Sequence, residues 1–311
     1  MLWSNSIMKF SELKEHLKSG KFFPVYILAG EDDGVVKLAK EQFIKLVDIP
    51  DFNVSYVSEG ELFTSAEVLP LGSNLRLVFG ATKQLNELDK YLANPNPSTV
   101  IILIGDAGKL KVSKGVEIVD CNRLDVGLLT KFIGLEAKKA GVSIDVDAAY
   151  LLIEYCTRFL TRIKSELDKL IGFCGNGKTI GVDAVKTIVA PDLEYKVFEL
   201  ADTIIKGNKE RTMRMLDDML NEGAGAAQKI FGLLYGHFRR LLFVSFGGDD
   251  AALAEKLGVK DYAVTVAKKQ ADKFSKSKLK RIVDKLHSVD YGIKSGKIKD
   301  RIALESFVMQ I

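Results

Sequence analysis

Cysteine, proline and tryptophan are scarce in this chain, at 3, 6 and 1 of 311 residues. The cysteines, Cys121, Cys156 and Cys174, form no CxxC pair, so neither a disulfide framework nor a cysteine-based metal site is needed for folding. No metal and no cofactor is expected. Apolar runs stay short, as at Val100–Ile104, far below the ~20 helical residues that cross a bilayer. Residues 1–10 lack a basic stretch followed by a long apolar one, which leaves secretion without support. The expectation is a cytoplasmic protein with no membrane partner, starting naturally at Met1 or at Met8. No long low-complexity tract is present, and 28% charged residues is ordinary for folded protein.

What is present is 47% hydrophobic residues in a length that suits two or three domains. Residues 22–120 alternate short apolar runs with helical patterns. Phe23 to Gly30 reads as a strand, followed by Val35, Val36, Ala39, Phe43 and Leu46 on one helical stripe. Further strands are expected at 52–57, 75–79, 99–104 and 116–119. Such alternation predicts an α/β domain with a mostly parallel sheet covered on both faces.

After Leu124 the strand signal stops. A helix over 125–140 closes at Gly141, and helices at 146–156 and 160–171 follow. A short third helix opens at Thr179 and ends near Pro191, and the unit extends through 197–205 to Gly207-Asn208. Beyond Lys209, helices at 210–221, 226–246, 249–257, 262–274, 278–293 and 299–311 are separated by Gly or Ser. Three domains are therefore expected, 1–140, 141–207 and 208–311. The net charge of +4 is unevenly placed: residues 259–311 carry 13 Lys and Arg against 6 Asp and Glu, or +7, which leaves −3 on the first 258. Only such a local excess could make a polyanion-binding surface.

Gly172-Phe-Cys-Gly-Asn-Gly177-Lys178-Thr179 matches the phosphate-loop pattern GxxxxGK[ST] letter by letter. A working loop must leave a buried strand and enter a helix, so that backbone N–H groups converge on the phosphates. Here an amphipathic helix precedes it, and Gly-Asn-Gly reads as that helix's C-terminal stop. The position with the right context is Gly30-Glu31-Asp32-Asp33-Gly34, after the first strand. Its three carboxylates would repel phosphates, and no Gly-Lys-Ser/Thr follows. The third strand likewise ends in Gly80-Ala81, where a nucleotide hydrolase of this class needs acidic residues for magnesium and water. The three histidines, His16, His237 and His287, suggest no site, and neither GxSxG nor HExxH occurs.

Taken in order, several strings resemble the bacterial clamp-loader delta subunits, an AAA+ family. They are Pro24-Val-Tyr-Ile-Leu-Ala-Gly-Glu-Asp, Phe198-Glu-Leu-Ala-Asp-Thr-Ile-Ile-Lys-Gly-Asn, and Ile230-Phe-Gly-Leu-Leu-Tyr-Gly-His-Phe-Arg-Arg-Leu-Leu. Leu257-Gly-Val-Lys-Asp-Tyr-Ala-Val and Tyr291-Gly-Ile-Lys-Ser-Gly complete the set. The resemblance implies a RecA-like AAA+ domain without ATPase chemistry, a three-helix lid and an all-α collar. It implies as partners the sliding clamp, the loader's motor subunits and delta-prime in a pentamer, and primer-template DNA within that complex. It places the clamp contact just before the third strand, on a short helical segment carrying a hydrophobic plug. In this chain that is Leu69, Pro70 and Leu71, where relatives commonly carry a bulkier apolar pair. Lys294 and Lys297, in the basic C-terminal segment, are the expected DNA-proximal residues. Two other readings stay open: an ATP-hydrolysing AAA+ motor subunit, and a helical DNA-binding or scaffold protein that touches no clamp.

Overall fold

The computed structural model describes residues 7–58, 60–83, 88–105, 114–223, 225–259, 261–272 and 274–311. Met1, one of the two candidate starts, lies outside them. Two compact units divide the chain between Ala190 and Pro191.

The first unit is built on a six-stranded sheet in which every pairing is parallel. Its spatial order is β1 (Met8–Lys9), β6 (Val116–Asp120), β2 (Val25–Ala29), β5 (Thr99–Ile104), β4 (Arg76–Ala81) and β3 (Val54–Tyr56). Side chains alternate across a strand, so one run of apolar residues serves two cores. Tyr26, Leu28, Leu77, Phe79, Val100 and Ile102 enter one core, and Val25, Ile27, Val78, Ile101 and Leu103 enter the other. The expected parallel α/β domain is present. Its edge strand β1 was not foreseen, because two residues carry no readable period and only the pairing of Met8 with Val119 makes them a strand. Residues 50–53, partly read as strand, form a single helical turn, α3 (Pro50–Asn53), opened by its proline.

The first core is closed by α1 (Phe10–Lys18), α2 (Asp33–Ile44), α6 (Val126–Lys139), α7 (Val146–Tyr155), α8 (Leu160–Cys174) and α9 (Val182–Ile188). Phe43, Ile133, Leu152, Ile163 and Leu167 all join Tyr26 in it. Thr179–Ile180 is not the start of a helix but a strand, β8, pairing in parallel with β7 (Ser143–Ile144). On the opposite face of the sheet lie α4 (Leu62–Ala66) and α5 (Leu88–Ala93), through Leu62, Ala66, Leu88 and Tyr91.

The second unit is helical: α10 (Leu193–Lys206), α11 (Lys209–Leu220), α12 (Ala226–Ser245), α13 (Asp250–Leu257), α14 (Asp261–Ala271), α15 (Lys276–Lys294) and α16 (Asp300–Gln310). Leu279, Ile282 and Leu286 fall on one stripe of α15 and bury fully against a core that includes Leu234, Phe238 and Phe307. Left-handed Gly207 and Gly258 end α10 and α13. Helix α10, grouped by the sequence reading with residues 141–207, buries Val197, Leu200, Ala201 and Ile204 in this second core. A helical stripe shows that a face is buried and not which neighbour buries it. No helix among the described residues is long and apolar enough to cross a membrane.

His237 of α12 is buried beside Phe198 and Phe238, and that burial, with the Arg240 charge nearby, pushes its pKa down to about 4. Because the ordinary value is near 6.5, the unfolded chain takes up this proton first as pH falls, and stability drops between the two values. Going from pH 7 to pH 5 should cost the protein about 2 kcal/mol through this group. A His237→Phe variant is expected to flatten that part of the denaturation-midpoint profile against pH; an unchanged profile would remove His237 as its source.

Candidate functional site

Strand β2 lies between β6 and β5, where successive connections leave to opposite sides. In open α/β sheets ligands bind beyond the strand carboxyl ends at such a point. Residues Gly30, Glu31, Asp32, Asp33 and Gly34 occupy it. Asp32 is the N-cap of α2 and is 0% exposed. Its Oδ1 accepts from the backbone N–H of Gly34 at 2.9 Å and of Val35 at 3.4 Å, while its Oδ2 accepts from the N–H of Leu160 at 2.9 Å. Leu160 is the first residue of α8. Two helix N-termini thus converge on one carboxylate, an arrangement suited to any anion. The chain supplies that anion itself.

The backbone around Asp32 is closed. A Cβ on Gly30 would lie 2.1 Å from the Cys121 carbonyl carbon, and one on Gly34 would lie 2.7 Å from the Thr161 nitrogen. Thr157 and Arg158, both left-handed, turn α7 sharply into α8. The Arg158 guanidinium donates to the Leu124 carbonyl, with Nε at 3.1 Å, and so ties that turn to the chain just beyond β6. Glu31 pairs with Arg123 at 3.2 Å, and Arg123 lies 3.9 Å from the Phe159 ring centre. Asp33 is exposed in the first turn of α2. At the end of β4, Gly80 and Ala81 bring no carboxylate. The Gly172–Thr179 string runs from α8 through left-handed Gly175 and Gly177 into β8. That is helix, loop and strand, the reverse of a phosphate loop's order.

A second feature lies between α4 and β4. Leu69 is 74% exposed, Leu71 60% exposed and Pro70 half-buried. They sit in a turn rather than on the expected helical segment: α4 ends at Ala66, Pro70 disfavours helix at Leu69, and Gly72 is left-handed. Leu69 does not pack beneath the sheet. The backbone of Leu71 is held by Asn53, the last residue of α3, whose side chain is fully buried. Leu71 N–H donates to Asn53 Oδ1 at 2.7 Å, and Asn53 Nδ2 donates to the Leu71 carbonyl at 2.8 Å and the Asp48 carbonyl at 2.9 Å. Ile49 and Phe52, 49% and 62% exposed, flank this turn. The sequence reading missed Ile49, Phe52 and Asn53. Eighteen residues separate Asn53 from Leu71, and no periodicity reports a side chain that bridges them.

In the second unit Lys294 pairs with Asp290 at 2.7 Å, one turn earlier on α15. Lys297 lies 5.2 Å from the ring centre of exposed Tyr291. The two lysines thus share one end of α15 with an aromatic surface.

Comparison with known proteins bears on both units. Residues 194–311 match the family described as DNA polymerase III delta subunit, C-terminal domain. The chain is 28% identical to DNA polymerase III subunit delta of Bacillus subtilis (strain 168), over 95% of this chain and 94% of that protein. It is 25% identical to the probable DNA polymerase III subunit delta of Aquifex aeolicus (strain VF5), over 70% and 67% of the two. Among solved structures it superimposes on the Bacillus subtilis DNA clamp loader delta protein with TM-score 0.66 and 26% identity, over 97% of this chain and 98% of that one. Similarity in sequence and in fold therefore runs through the sheet, the intervening helices and the C-terminal bundle alike, and the chain belongs to the clamp-loader delta subunit family of DNA polymerase III.

Proposed function

We propose that this protein binds the sliding clamp through Leu69, Pro70 and Leu71 and holds one clamp interface open while the ring is placed on primed DNA. The observation that carries the reading is the pair of exposed leucines on a turn whose backbone is pinned by a buried side chain. Exposed apolar side chains on a fixed frame lose little entropy on docking, so their burial goes into affinity. The test is titration of the full-length protein against labelled cognate clamp. Binding that survives replacement of both leucines by serine would reject this site.

The same proposal makes the chain a passive member of the loader. Asp32 fills the anion site at the end of β2, and Gly30 and Gly34 have no room for a phosphate beside them. This disfavours the ATP-hydrolysing reading. Magnesium and ATP together should not raise the melting temperature, because only a ligand of the native state does so. A saturable upward shift that Lys178→Ala abolishes would instead restore the Gly172–Thr179 loop.

Functionally we divide the chain into a clamp-binding module over 1–140, a lid over 141–207 and a collar over 208–311 that joins the motor subunits and delta-prime in a pentamer. Primer-template DNA would pass near Lys294 and Lys297, attracted without regard to sequence. Such work would be done in the cytoplasm. The packing makes a fragment experiment specific: a cut after Asn208 leaves the apolar face of α10 without its core, whereas a cut after Ala190 falls between compact units. The fragment ending at Ala190 is expected to bind clamp and fail to assemble, and the one ending at Asn208 to aggregate. Co-purification of the shorter fragment with the motor subunits would place assembly elsewhere.

A further inference from the structure

The turn that carries Leu71 does not stand alone. Asn53 joins it to α3 by hydrogen bonds in both directions, pairing with Leu71 as a neighbouring strand would. The same Nδ2 donates to the carbonyls of Asp48 and Ile49, at 2.9 and 3.3 Å. Arg76 holds the other end of α3, donating to the Phe52 carbonyl at 2.9 Å. Ile49 has φ +53°, a left-handed conformation that a β-branched residue adopts only under strain. Its carbonyl nevertheless receives the N–H groups of Phe52 and Asn53, at 3.1 and 3.3 Å. Its Cδ1 lies over Gly72, where an added Cβ would meet it at 3.2 Å. The strained residue therefore places an apolar side chain beside the leucine turn, half exposed, with Phe52 next to it. Burial in this chain's own core does not explain the strain.

We propose that Asn53 is the positioning residue of the clamp contact, and that Ile49 and Phe52 form a second limb of it, continuous with Leu69 and Leu71. This rests on the reading that Leu69–Leu71 docks on the clamp. The partner is that same clamp, because a surface covering Leu71 must also pass over Gly72 and the Ile49 methyl that lies on it. Asparagine tolerates the left-handed conformation well, so Ile49→Asn should remove the limb and relieve the strain together.

Full-length wild type, Leu71→Ser, Ile49→Asn, Phe52→Ser and Asn53→Ala are titrated against labelled clamp, with melting curves and amide hydrogen exchange on each. Ile49→Asn and Phe52→Ser should each weaken binding by about tenfold, the loss expected of one apolar contact. Ile49→Asn should melt no lower than wild type. Asn53→Ala should speed exchange at the Leu71 amide while β2 and β5 keep their protection, and should weaken binding by more than its unfolded fraction explains. Wild-type affinity in both limb variants, with Leu71→Ser impaired, would overturn the second limb and leave the clamp site standing. Wild-type affinity in all variants would overturn both. Leu71 exchange unchanged in Asn53→Ala would remove Asn53 from the positioning role, and so would binding lost only in proportion to unfolding.

Discussion

Leu71→Ser is expected to weaken clamp binding at least about 30-fold and to abolish clamp opening. Burying one leucine contributes about 1.5–3 kcal/mol, and a central apolar anchor can carry that much of an interface, with each 1.4 kcal/mol worth tenfold. The side chain is 60% exposed, so the substitution removes little from the protein's own core. What holds Leu71 is its backbone, through Asn53, and serine keeps that N–H and that carbonyl. Melting temperature and pentamer assembly should therefore match wild type. Affinities equal within error, measured with labelled clamp, would take Leu71 out of the site.

Asp32→Ala should have the largest effect on stability. It removes one N-cap, at a cost of about 1 kcal/mol, and leaves the N–H groups of Val35 and Leu160 buried near no acceptor, at about 1–3 kcal/mol each. A total near 3 kcal/mol corresponds to a melting temperature lower by roughly 6–12 °C in a chain of this size. Asp32→Asn keeps one acceptor oxygen and turns an NH2 toward a backbone donor, so it should fall between the two. Neither variant should gain nucleotide affinity, since the packing of Gly30 on Cys121 and Gly34 on Thr161 does not depend on the carboxylate. Equal melting of Asp32→Ala and wild type would show that water satisfies these donors and that the carboxylate is not the lock described here.

Much of the fold was legible because its signals are local. The strands at 25–29, 76–81 and 99–104 announced themselves as apolar runs bounded by turn residues, which is how strands buried on both faces must read. Gly207 marked the end of α10, since its left-handed conformation suits glycine. The candidate sites were legible by halves. The triple-carboxylate stretch showed that nucleotide chemistry was missing, because like charges exclude phosphate whatever the fold. That Asp32 points inward and takes the phosphate's place depends on Leu160, 128 residues away. Leu69 and Leu71 came from family resemblance, and their exposure could not have been read from a pattern that suits a core equally well.

The sequence by itself determined the element order, the parallel α/β character of the first part, the helical character of the rest, and the absence of phosphate-loop chemistry. Each follows from interactions within a few residues: side-chain period, turn conformation and charge. Tertiary structure alone decided where the compact units divide, which core covers α10, how Asp32 is shared by two helix ends, and how Asn53 joins Leu71 to α3. Those outcomes turn on single hydrogen bonds and faces contributed by segments tens of residues apart, and a one-dimensional pattern records that a group is polar or apolar but not which distant partner satisfies it.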